Sequence, residues 1–139
     1  MKAIQIGDWL QHANGKYYQV TRIDRLGDGN VHFACGFPHL WEYNNKFKPI
    51  PLEKEHLKMN GFKVREYSDD TEYFYHDGYR INIDFNEGWP ADDIPPTIFL
   101  SIDFAEKDIA MPIEYVHELQ QAMRIMGCDK TIELWKQKN

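Results

Sequence analysis

The chain has 139 residues, a formal net charge of −6, 42 % hydrophobic residues and 14 % aromatic residues. A chain of this length buries roughly two-thirds of the surface its unfolded form exposes, so it can build a core without staples, and its composition excludes intrinsic disorder. No run approaches the ~18 apolar residues of a membrane span. The start, Met1-Lys2-Ala3-Ile4-Gln5-Ile6-Gly7-Asp8, lacks the apolar stretch of a signal peptide, and Cys35 and Cys128 are too few for a disulfide framework. The expectation is a cytoplasmic protein of one domain over residues 1–139. Residues 1–48 are expected to form a barrel-like lobe, and residues 49–139 a helix, a β-meander and a C-terminal helix.

The charge is unevenly divided. Residues 1–66 hold ten Lys/Arg against seven Asp/Glu, a net of +3, whereas residues 67–139 hold six against fifteen, a net of −9. The acidic second half disfavours a phosphate backbone, and the mildly basic first half leaves a local nucleic-acid site open.

Residues 9–35 read as β. Asn14-Gly15 is a hairpin signal of the type I′ kind. Tyr17, Tyr18, Val20, Thr21 and Ile23 are strand formers, and Gly27-Asp28-Gly29-Asn30 is a second turn. Val31, Phe33 and Cys35 then alternate with His32 and Ala34. Three short antiparallel strands with tight turns predict a bent sheet or partial barrel. Residues 36–51 read as irregular, ending in the extended path imposed by Pro49 and Pro51. Leu52 to Asn60 reads as a short helix ended by Gly61 at the left-handed position.

A meander follows. Phe62–Tyr67, Tyr79–Phe85 and Ile98–Phe104 alternate with the period of two that gives one buried and one wet face, and Tyr73-Phe74-Tyr75 reads as an aromatic strand closed by the hairpin signal Asp77-Gly78. Val116, Leu119, Met123 and Met126 share one face of a helix over 113–126, with Pro112 suited to its first turn and Gly127 at its end. Thr131–Trp135 reads as a closing strand. Strand runs broken by two helices indicate an α+β fold: a small antiparallel barrel-like N-terminal lobe, a short helix, a second antiparallel meander, and a C-terminal helix packed on the sheet.

No constellation of catalytic residues stands out, and no cofactor or metal is expected. Glycines fall as turn punctuation rather than as a phosphate loop. Cys35 and His32 point to opposite faces of a strand, so Cys35 reads as a buried structural thiol. Cys35 and His39 make half a zinc spacing with no second pair. Asp84 and Asp103 lie on polar strand faces. If those strands pair in register, their carboxylates approach, and with Asp92 they give a hydrolase or small-ligand reading.

The oddity is the aromatic density between Cys35 and Phe47. Phe37, Trp41, Tyr43 and Phe47 either plug the end of the lobe or stand exposed as anchors, since Trp and Tyr offer large contact area at low entropic cost. His39, Lys46 and Lys48 lie among them, and the two lysines would equally suit stacking on single-stranded nucleic acid. Tyr115 and His117, on the C-terminal helix, complete the partner-binding candidates, with His117 expected to be half-exposed.

Three stretches resemble a family of small proteins of Bacteroides-type bacteria and their phages and prophages. They are Ile6-Gly7-Asp8 with Asn14-Gly15-Lys16 and Val20, similar to "IGN…GK…V"; Pro49-Ile50-Pro51-Leu52 through Leu57 to Gly61-Phe62, similar to "PIPLTEEWL…GF"; and Ile113-Glu114-Tyr115-Val116-His117-Glu118-Leu119-Gln120, similar to "IKYVHQLQ". The chain departs from that pattern at His56, where the family has Trp, and at Met126-Gly127-Cys128, where it has a Thr-Gly pair. The resemblance implies a cytosolic, mobile-element origin and supplies no activity. The expected function is non-enzymatic: an accessory protein of phage or prophage type that binds a protein partner, with nucleic-acid binding through the basic half as the alternative.

Overall fold

The computed structural model describes residues 3–27, 29–36, 39–68, 71–76, 78–86, 97–104, 107–128, 132 and 134. They form two five-stranded antiparallel sheets and two α-helices, so the fold is α+β as expected. The chain divides into two compact units, Met1–Pro51 with Tyr115–His117, and Leu52–Glu114 with Glu118–Asn139. No helix among the described residues is long and apolar enough to cross a membrane.

The first unit contains β1 (Trp9–His12), β2 (Tyr17–Arg25), β3 (Val31–Cys35), β4 (Leu40–Tyr43) and β5 (Phe47–Pro49), in the order β4-β3-β2-β1-β5. β4 and β5 lie inside the segment read as irregular. Their shortness, and the polar Asn44–Lys46 turn between them, hid the alternation of Leu40–Tyr43. The Asn14-Gly15 turn differs from the type I′ expectation. Only Gly15 has positive φ (86°), and His12 N–H donates to the Lys16 carbonyl while Gly15 N–H donates to that of His12. This is a three-residue hairpin loop with glycine in the left-handed position. The Leu26–Asn30 turn repeats the same two hydrogen bonds around Gly29.

The first sheet is curled but open. Five flat strands would set the edge strands about 19 Å apart. Tyr43 and Phe47, on opposite edges, are joined by three residues of 3₁₀ turn, and four Cα steps span at most about 14 Å. The sheet therefore has to bend. β4 and β5 do not pair, which corrects the expectation of a barrel to that of a curled, unclosed sheet. Its concave core is Leu10, Val20 and Phe33, with Ile4, Ile23, Val31 and Phe47 packed against them.

The second unit contains α1 (Lys54–Met59), β6 (Lys63–Ser68), β7 (Thr71–His76), β8 (Ile81–Asn86), β9 (Thr97–Phe104), β10 (Lys107–Ile113) and most of α2 (Val116–Ile125). The strands run in meander order, β10-β9-β8-β7-β6. Phe74, Ile81, Ile83, Leu100 and Ile102 are buried, as are Leu119, Ala122 and Met123 of α2. β10 corrects the reading of Pro112. It pairs with Phe99 on an edge strand, where a residue without an N–H is tolerated, and the helix begins only at Val116. Of the expected closing strand at 131–135, only Ile132 and Leu134 are described. Both are buried and neither is in a strand.

Both helices end in the same device. Gly61 (φ 84°) follows α1 and Phe62 N–H donates to Leu57; Gly127 (φ 92°) follows α2 and Cys128 N–H donates to Met123. These are six-to-one closures that bury the residue after the glycine. α1 starts with a histidine where a capping box usually has Glu or Gln: Glu53 N–H donates to His56 Nδ1 (3.0 Å). His56 must be neutral at Nδ1 to accept that bond. Burial lowers its pKa from the ordinary 6.5, against the raising pull of Glu53 and Glu55. Above pH 6.5 both folded and unfolded chains carry neutral His56. Below it, the unfolded chain takes up the proton first and stability falls. Thermal unfolding measured from pH 8 to pH 5 should therefore decline less steeply in His56→Gln, which keeps an acceptor without the titration. Parallel declines would show that His56 is not depressed.

Candidate functional site

The outer face of β2, β3 and β4 collects an aromatic and charged group from three strands. Val20 pairs with Cys35 and Arg22 with Ala34, so Thr21 is an extra residue, a bulge. Beyond it the pairs are Ile23 with Phe33 and Asp24 with His32. On the far side of β3, Ala34 pairs with Trp41 and His32 with Tyr43. Asp24, His32 and Tyr43 thus form one cross-strand row, and Arg22, Ala34 and Trp41 the next. Phe33 and Ile23 point the other way, into the core.

Ala34 leaves room for the Trp41 ring to lie over His32. The two rings stack at 3.9 Å with 5° between their planes, and Tyr43 leans on the same imidazole at 4.0 Å and 39°. His32 is 3 % exposed, whereas Trp41 and Tyr43 are 52 % and 44 % exposed. Trp41 Nε1 donates to Asp24 Oδ2 (2.9 Å), and Arg22 Nε donates to Asp24 Oδ1 (2.9 Å). These bonds, Arg22's first and Trp41's second, hold the Asp24 carboxyl below the usual carboxylate range. An exposed ion pair of this kind adds little stability. Its effect is orientational: the indole is fixed at its edge by Asp24 and at its face by His32, with the rest of the ring presented outward.

The remaining candidates scatter. Phe37 lies outside the described residues. His39 is exposed in the turn before β4. Lys46 and Lys48 are exposed, beside a depression lined by Gln11, His12, Ala13, Gly15 and Asn45. Phe47 is core-facing, with its ring 5.1 Å from His12 and 5.6 Å from Phe33. The aromatic-rich segment is therefore partly core-facing, at Phe47, and partly exposed, at Trp41 and Tyr43. His117 corrects the expectation of half-exposure, being fully buried and stacked 5.8 Å from Tyr115. Val116–Met123 are all buried, which leaves only Arg124 and Ile125 of α2 accessible to any partner.

Among the described residues, Asp84 and Asp103 are not brought together. Asp84 pairs with Phe99, and Asp103 with Asp108, so the register separates the two aspartates by four residues along β9, about 13 Å of strand. Asp92 lies outside the described residues. No group of three His, Cys, Asp or Glu side chains among the described residues is gathered for a metal ion. Burial pushes the Cys35 thiol up to about 11. No protein family, curated protein or solved structure matches the chain.

Sequence reasoning missed Arg22, Asp24 and His32. The signal was available: Asp24 and His32 flank the Leu26–Asn30 turn symmetrically, so a three-residue loop pairs them. At pH 8 roughly one Cys35 in a thousand is thiolate if its pKa is about 11. Iodoacetamide should label the folded protein at background rate and label it fully on unfolding. Rapid labelling of folded Cys35 would contradict its buried, protonated state.

Proposed function

We propose that this protein is a non-enzymatic binding protein that engages a protein partner through Trp41 and Tyr43 on the outer face of β2–β4. The observation that carries this reading is the held indole: a large aromatic side chain, half exposed, with stacking and hydrogen bonding that fix its orientation. Exposed tryptophan and tyrosine are the side chains that most often dominate interface energetics, and a ring already fixed loses little entropy on binding. The ionised Asp24 beside Trp41 favours a protein surface over a phosphate backbone, and Lys46 and Lys48 are on the 3₁₀ turn and β5 rather than on this face. The likeness of three sequence stretches to phage and prophage proteins fits an accessory role in the cytoplasm of a bacterial host.

The full chain serves as bait in lysate of its host, beside Trp41→Ala, Tyr43→Ala and the Lys46→Ala/Lys48→Ala pair. A partner held by the wild type should be lost at least tenfold with either aromatic variant and kept with the lysine pair. Trp41→Ala should cost about 1 kcal/mol of stability, the scale of one aromatic pair, leaving the variants folded. A partner that stays on the two aromatic variants, or leaves with the lysine pair, would count against the reading.

A further inference from the structure

Two loops at one end of the first sheet enclose a polar depression of about 250 Å³. The β1–β2 loop supplies one wall. Its lining residues, Ala13 and Gly15, are small, and open space lies over Gly15 where a side chain would project. Asn45 and Lys46 of the 3₁₀ turn, with Phe47 and Lys48 of β5, supply the other wall. The walls are pinned together by the fold. Ala13 N–H donates to the Lys46 carbonyl (2.9 Å), Lys48 pairs with Gln11 across β1 and β5, and Phe47 packs against the core. Gln11 Nε2 donates to the Gly15 carbonyl (3.2 Å), which ties the small-residue wall to β1. The depression is therefore set by the strands and loops that shape it.

Its charge is one-sided. Lys46 and Lys48 are both exposed, and neither makes an ion pair with a described residue. Among the described residues no carboxylate lines the depression; Glu42, 3.9 Å from His12 Nε2, lies outside it. Two cations on one wall repel each other, and an anion lodged beside both relieves that repulsion. The chain carries −6 in all, but residues 1–66 carry +3, so the depression sits in the half that attracts anions.

We propose that this depression binds the phosphate group of a small phosphorylated molecule, held by Lys46 and Lys48. A phosphate monoester has its second pKa at about 6, so at neutral pH it is largely a dianion, and two lysines match its charge. Each ammonium binds phosphate as a point charge and needs no fixed fork geometry. Asn45, on the same wall, adds an amide that can donate to a third phosphate oxygen. Size favours a small ligand, because drug-sized molecules fill sites of about 300–1,000 Å³. A single-stranded nucleic acid would need exposed rings on which its bases stack. Phe47, which lines the depression, packs against the core instead. The site lies within the first unit and shares no residue with the Trp41–Tyr43 face.

The test is an NMR titration of the full chain with ribose 5-phosphate at constant ionic strength, read at the backbone amides, beside ribose and acetate. Ribose 5-phosphate should shift the Gly15, Asn45, Lys46 and Lys48 amides saturably, with a dissociation constant on the order of 1 mM. Ribose should leave them in place, and acetate should bind at least tenfold more weakly. Lys46→Gln and Lys48→Gln should each weaken binding severalfold, and the double variant should abolish it. Both lysines are exposed, so the variants should fold, with amide shifts unchanged outside the two loops. Trp41→Ala should bind ribose 5-phosphate as the wild type does, which separates this site from the one proposed above. No saturable response, an equal response to acetate, or full binding by the double variant would overturn the proposal. So would an oligouridylate octamer that shifts the same amides with at least a hundredfold tighter affinity, since the lysines would then serve a nucleic-acid strand.

Discussion

One extra residue in β2 governs what the first unit can present. Without the bulge at Thr21, the alternation that buries Tyr18 and Val20 would carry Arg22 and Asp24 inward and turn Ile23 out. With it, Ile23 joins the core opposite Phe33 and the two charged residues emerge on the face that carries His32, Trp41 and Tyr43. Thr21 is tied down locally, its hydroxyl donating to the Ala34 carbonyl (3.1 Å). The bulge also tightens the local twist, in a sheet whose edge strands must already curl to be joined by three residues. The exposed indole and the curled sheet both involve the same strand irregularity.

The stretches Ile6–Val20, Pro49–Phe62 and Ile113–Gln120 are architectural. Gly7 takes φ 95° in a turn closed by Asp8 N–H on the Gln5 carbonyl, with the buried Asp8 carboxylate accepting from Gln5 N–H (2.8 Å). Asn14-Gly15-Lys16 is the first hairpin loop. Ile50, Leu52, Leu57 and Phe62 are buried, and Gly61 is the left-handed cap that lets Phe62 turn inward. In the third stretch Ile113 ends β10, Glu114 N–H donates to Glu118 Oε1 (2.9 Å), and Val116, His117 and Leu119 are buried. None of these residues forms the aromatic face.

Much of the fold was legible because it rests on local chemistry. Strict alternation in 79–85 and 98–104 gave β8 and β9, and Gly61 and Gly127 marked both helix ends. What escaped depended on non-local pairing. β4 and β5 are short and earn their strand conformation from β3 and β1. Pro112 suits a helix start equally well as an edge strand, and only its pairing with Phe99 decides. The candidate site was half visible. Trp41 and Tyr43 stood out as surplus aromatics, whereas His32 meets them through the β3–β4 register, and the bulge at Thr21 that parts the outward Arg22 and Asp24 from the inward Val20 is announced by neither composition nor periodicity. Asp84 was visible as an alternating polar residue, and its place between Tyr73 and Phe99, in a row that also holds Arg65, emerged only with the register.

Trp41 is held in one orientation by stacking on His32 and by the bond from its Nε1 to Asp24. Proton NMR measures this directly through nuclear Overhauser effects between the Trp41 indole and His32 imidazole, read with the indole Nε1–H shift in wild type and Asp24→Asn. Strong ring-to-ring effects, upfield-shifted His32 ring protons and an indole N–H resonance that moves in Asp24→Asn are expected. Weak, averaged ring contacts and an indole N–H indifferent to Asp24 would mean a freely rotating tryptophan, and would contradict it.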